Sequence, residues 1–102
     1  MHIISSGYTF EWSRHKEKLN VIKHGFGFEE AREVFKDPYV THLEDCKHSK
    51  NEDRHYAIGK TSRGVVLTVR YTKRGNVVWI FGAASWRKWR RFYEKRKNTR
   101  SV

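Results

Sequence analysis

Tyr56-Ala57-Ile58-Gly59, Val65-Val66-Leu67-Thr68-Val69-Arg70-Tyr71-Thr72 and Val77-Val78-Trp79-Ile80-Phe81 are three β-rich runs, separated by Ser62-Arg63-Gly64 and Lys73-Arg74-Gly75-Asn76. β-Branched and aromatic runs joined by short glycine-containing connections predict an antiparallel meander. Side chains two apart share a strand face, so Val65, Leu67, Val69 and Tyr71 are expected in the core. Val66, Thr68, Arg70 and Thr72 then form a half-open face on which a guanidinium and hydroxyls either hold a phosphate or meet solvent.

The chain around this meander has 102 residues, enough for one domain with one modest core. An apolar fraction of 37%, with four Trp, five Tyr and six Phe, excludes a disordered segment. No apolar run has membrane-spanning length, and Met1 to Gly7 lacks the regions of a signal peptide, so a cytoplasmic protein without a membrane partner is expected. The single cysteine, Cys46, agrees with a reducing compartment. Charge is lopsided: residues 1–53 hold eight Lys and Arg against ten Asp and Glu, whereas residues 54–102 hold fourteen against one, Glu94. Such a half repels itself unless a polyanion or an acidic partner offsets the charge, which makes nucleic acid the first expectation.

Read in order, Tyr8 to Trp12 is an expected short edge strand. Ser13 is an N-cap for a helix over Arg14 to His24, with Leu19, Ile22 and His15 on one face and Gly25 at C′. Gly27 opens a second, shorter helix bearing Phe28, Ala31, Val34 and Phe35, and Asp37-Pro38 stops it. Tyr39 to Leu43 is a strand and Glu44 to Arg54 a polar loop. After the meander, Ser85 is expected to cap a helix whose Trp86, Trp89 and Tyr93 stripe lies on the sheet. The fold class is α+β: two N-terminal helices, an antiparallel meander and a C-terminal helix in one domain over 1–102, with 1–7 and 98–102 frayed.

Phe10-Glu11-Trp12, Asn20, Lys23-His24-Gly25, Phe28 to Ala31, Val34-Phe35, Asp37-Pro38, His48-Ser49, Arg54, Ile58-Gly59, Gly64, Tyr71-Thr72 and Tyr93-Glu94 form a combined pattern. Together these segments resemble the BrnT family of type II toxin–antitoxin systems. The resemblance implies a fold similar to RelE-like ribonucleases and a metal-independent endoribonuclease that inhibits translation. It also implies a BrnA-like ribbon-helix-helix antitoxin that neutralises the toxin and contacts operator DNA, so that toxin reaches DNA only through its partner. Many members of the family carry Ile-Ser-Ala-Arg where this chain has Ile80-Phe81-Gly82-Ala83. Either this is a subfamily pattern in which Arg87 supplies the charge, or the chain is a non-catalytic co-repressor or RNA-binding module.

Metal-free RNA cleavage needs a base for the 2′-OH, an acid for the leaving 5′ oxygen, and cations for the phosphate. Arg54, Arg70 and Arg87 are the candidate phosphate clamps, His48 the candidate proton carrier, and Tyr71 a positioning group or acid. Arg63, Lys73, Arg74, Arg90, Arg91 and Trp86 are the candidate RNA contacts. Arg54, Arg63, Arg70 and Arg87 have an alternative use in salt bridges to Glu52, Asp53 or Glu94, and Trp86 an alternative use in the core. His42, Cys46, His48 and His55 lack paired ligand spacing, so no metal and no cofactor are expected.

Overall fold

Gly64 and Gly75 adopt φ of +82° and +63°, the left-handed backbone that tight turns require and side chains resist. They connect three antiparallel strands, β4 (Arg54–Lys60), β5 (Val66–Arg74) and β6 (Val77–Ala84). The computed structural model describes residues 2–5, 7–48, 50 and 52–100, and the side chains of 2–5, 48, 99 and 100 lie outside that description. The expected meander is the centre of a larger, mixed sheet of six strands in the order β1-β2-β6-β5-β4-β3. Here β1 is His2–Ser5, β2 is Tyr8–Trp12 and β3 is Thr41–Glu44.

The start of the chain corrects two expectations. Residues 2–5 pair antiparallel with β2, where fraying was expected. β2 in turn is an interior strand, parallel to β6 through Phe10↔Val78 and Trp12↔Ile80. A parallel pairing is formed between segments far apart in sequence, so no local turn signal announces it. At the other end, helix α3 (Arg87–Arg100) continues through Asn98, past the expected fraying point.

Helix α1 (Arg14–His24) follows Ser13, whose side chain accepts from Lys16 N, and ends at Gly25 with φ +82°. Its buried residue is Asn20, while Leu19 and Ile22, read on one face of the helix with His15, are 51% and 74% exposed. Helix α2 (Phe28–Ala31) tightens into a 3₁₀ turn over Arg32–Lys36. Its N-cap, Gly27, offers no side chain. Glu17 of α1 replaces it, with Oε2 accepting from Phe28 N at 2.8 Å while Oε1 accepts from Trp12 Nε1 at 3.1 Å.

Phe28, Ala31 and Val34 are fully buried against Phe10, Leu67, Val69 and Ile80, each large side chain contributing about 1.5–3 kcal/mol. The other face of β5, expected to be half open, is partly covered by α3. Val66 is buried because α3 brings Tyr93 onto Ile58 and Val66 with Trp89 and Phe92 beside them, and Thr68 and Thr72 are buried farther along, the Thr72 hydroxyl donating to Asp53 O at 2.6 Å. Arg70 alone of that set is half-buried. Helix α3 opens one residue later than expected: the Trp86 carbonyl accepts from Trp89 N and Arg90 N. Trp86 therefore precedes the helix and is 40% exposed, off the sheet. Asp37 ties the two layers together, accepting from Tyr39 N at 2.8 Å, Lys60 N at 2.7 Å and the Tyr93 hydroxyl.

Candidate nucleic-acid interface

The register β4–β5–β6 decides which arginines meet. Arg54 lies opposite Thr72 and Tyr56 opposite Arg70, so Arg54 and Arg70 are diagonal neighbours on the face that α3 only partly covers. Arg70 is in turn opposite Gly82, and the next pair is Tyr71 with Ile80, which leaves Phe81 as a bulge residue. The Phe81 ring is flanked by cations: the Arg54 guanidinium is 4.3 Å from its centroid and Lys16 Nζ 5.3 Å.

A cleft of about 430 Å³ opens here, lined by Arg70 and Phe81 from the sheet, Lys16, Lys23 and His24 from α1, and Trp86. The edge of the Trp86 ring meets His24 at 6.1 Å between centroids. The bulge is held by Asn20. Beyond Ile80, β6 has lost β2 as a partner, and the Asn20 side chain takes its place. Its Oδ1 accepts from Ala83 N at 3.1 Å and its Nδ2 donates to Ala83 O at 2.9 Å and to Phe26 O at 2.8 Å. Ala83, where an arginine was expected by resemblance, is a core residue, 4% exposed.

Farther along the face Tyr56 stands 6.1 Å from Trp89, ring to ring. Burial raises the Tyr56 phenol, and the neighbouring Asp45 carboxylate adds to the effect. Asp45 is itself buried, so the face presents cations and rings rather than free carboxylate.

The remaining candidates separate. Tyr71 is on the opposite face, hydrogen-bonded to His42 Nδ1 at 2.7 Å and stacked on His55, so it does not join Arg54 and Arg70. Burial pushes its hydroxyl up to about 12 and keeps it protonated. Burial also lowers His42, with His55 contributing. Arg63 makes a bidentate pair with Glu30 at 2.7 Å, and Arg74 one with Glu52 at 3.0 Å. Each guanidinium is raised by its carboxylate partner, and both leave the shared surface because the hairpin tips carry them to acids of the first half. Arg87, Arg90 and Arg91 are exposed on α3, and Lys73 lies 4.9 Å from the Tyr8 ring. The backbone of His48 ends a 3₁₀ turn, Cys46–His48, just before β4, and its side chain lies outside those described.

Lys16, Lys23 and Phe81 were missed from sequence. Gly82 within a strand was an available signal, since interior strand glycines mark bulges.

Fold and site together define a small α+β domain with a cationic, aromatic cleft at the part of the sheet face that α3 leaves uncovered. A family profile described as "Ribonuclease toxin, BrnT, of type II toxin-antitoxin system" matches residues 12–91. The chain belongs to that family, whose type II systems pair a toxin with an antitoxin. The crystal structure of the Brucella abortus ribonuclease toxin BrnT is similar in fold, with a TM-score of 0.60 and 19% identity over 76% of this chain and 94% of that one. A search of the curated proteins finds no match. No described helix is long and apolar enough to cross a membrane.

Proposed function

We propose that this chain is a metal-independent endoribonuclease that acts in the cytoplasm to inhibit translation. The observation that carries the reading is that Arg54 and Arg70 are diagonal neighbours on the part of the face that α3 leaves uncovered, with Phe81 between Arg54 and Lys16. RNA lies across this face with the scissile phosphate at the two guanidinium groups, and a base stacks on the exposed Trp86. The 2′ oxygen attacks phosphorus and the bond to the 5′ oxygen breaks, giving a 2′,3′-cyclic phosphate and a free 5′-OH. His48 takes the 2′ proton, and a protonated group returns one to the 5′ oxygen. Arg54 and Arg70 meet the charge that develops on the non-bridging oxygens. Arg87, Arg90, Arg91 and Lys73 extend the field along which the strand approaches.

A ribbon-helix-helix antitoxin resembling BrnA covers the same cations, which blocks RNA and relieves the self-repulsion of the basic half in one contact. The pair represses its own operon, with operator DNA held by the antitoxin. A second reading, a non-catalytic antitoxin partner and co-repressor, is favoured by the core placement of Ala83.

The test is cleavage of labelled RNA at low salt by the purified chain. Wild type is expected to cut, Arg70→Ala to lose about 10²–10³-fold in rate and His48→Ala about 10²–10⁴-fold. Intact RNA with wild type, alongside normal antitoxin binding, replaces this reading by the second one.

A further inference from the structure

We propose that a second cleft, at the far end of α3 from Arg70, is a phosphate site for the same RNA strand. The proposal rests on the reading of the chain as an RNA-binding protein and adds a subsite to it. This cleft, of about 590 Å³, lies between the 3₁₀ turn Arg32–Lys36, the end of β4 and the C-terminal half of α3. Arg32, Lys36, Lys60 and Lys97 line it from those three elements.

Two acids, Glu33 and Asp37, line it against those four cations, and their oxygens are engaged by other donors, while Glu94 lies outside the wall. Asp37 accepts from two backbone N–H groups and the Tyr93 hydroxyl, and Glu33 Oε1 accepts from Ser62 N at 2.8 Å and Ser62 Oγ at 2.9 Å. Glu94 reaches Lys60 only at 3.7 Å, in a pair whose side chains are 33% and 48% exposed and which water largely screens. Arg32 Nε is buried and has no hydrogen-bond partner, so this side-chain position leaves one of its donors unmet. A small turn of the guanidinium into the cleft gives a phosphate paired donors, for which its geometry is suited. Lys97 also stands 5.5 Å from the centroid of Tyr39, a ring in the cleft wall on which a base can stack.

The two clefts are the ends of one path. Exposed Arg87, Arg90 and Arg91 occupy α3 between them, and the helix rises about 15 Å from Arg87 to Lys97. A strand long enough to follow α3 meets both sites. A shorter one meets only the site at Arg70.

The experiment uses 2′-O-methyl RNA, which binds but lacks the nucleophile, as a tetramer and a dodecamer, titrated against the full chain over a range of salt. In the double variant Lys36→Ala, Lys97→Ala the dodecamer is expected to bind about 10-fold more weakly. Its log–log salt slope should shrink by about 0.7 for each phosphate that the variant no longer neutralises, while the tetramer is unchanged. Arg32→Gln is expected to show the same selective loss. Equal weakening of both lengths, or of neither, overturns the proposal. So does a loss confined to antitoxin binding. The nuclease reading fails separately: a length-selective effect with unmodified RNA left uncut removes the cleavage and keeps the subsite. Cleavage without a length-selective effect does the reverse.

Discussion

Asn20 completes the edge of β6 as a neighbouring strand would, offering Ala83 one acceptor and one donor and spending its second amide hydrogen on Phe26 O. Alanine there leaves a buried N–H and a buried C=O unpaired, so Asn20→Ala is expected to cost about 2–4 kcal/mol in a urea titration. Because the same clamp fixes the bulge that sets Phe81 beside Arg70, cleavage should fall more than folding when both are measured below the melting range. At this scale the sequence was partly readable. Alternation along β5 correctly separated Arg70 from Leu67 and Val69 and put Tyr71 on their face, where it is bonded to His42 and lies away from Arg54 and Arg70. The partners of Arg63 and Arg74, Glu30 and Glu52, lie 33 and 22 residues away, and no spacing rule reaches that far.

Between elements, one glycine controls how closely the 3₁₀ turn approaches β4. A Cβ at Gly59 would lie 2.9 Å from Val34 O and 3.0 Å from Val34 Cβ, both parts of a packed core with no room to yield. Gly59→Ala is therefore expected to destabilise by about 1–3 kcal/mol, read as a fall in melting temperature of about 4–8 °C per kcal/mol. The elements themselves were legible: the first helix has the limits Ser13 and Gly25 imply, and Asp37-Pro38 ends the next helical segment. Their packing was less so. Leu19 and Ile22 share a face but do not mark the packed one: both are exposed, because Asn20, a polar residue, is the one that faces β6. Trp86 read as core and is exposed, because the helix begins one residue after it.

For the whole molecule, net charge of +11 and burial of titratable rings set the response to solution conditions. His42 is exposed as a residue, but packing of its ring against Tyr71 and Phe35 desolvates it and, with His55, holds it below its ordinary 6.5, so the effect is a small one. The unfolded chain therefore binds this proton first, and stability should be highest above about pH 7 and decline as pH falls through 6.5 toward the lowered value. His42→Gln is expected to flatten that part of a melting-temperature profile. A separate decline belongs to Glu30 and Glu52, both held below 4.5 chiefly by hydrogen bonds from Arg63 and Arg74. Their contribution is present above that pH and lost below it, so it persists in the His42 variant.

Local patterns determined the strands of the meander, the capped ends of α1, the lopsided charge and the motifs that resemble the BrnT family, because each depends on residues a few positions apart. Only the folded chain decided that β2 runs beside β6, that α3 closes half of the face beneath Arg70, and which arginines are spent on carboxylates. Those outcomes depend on contacts between distant segments, where burial and charge pairing are settled by packing of the whole chain and leave no periodic trace in the sequence.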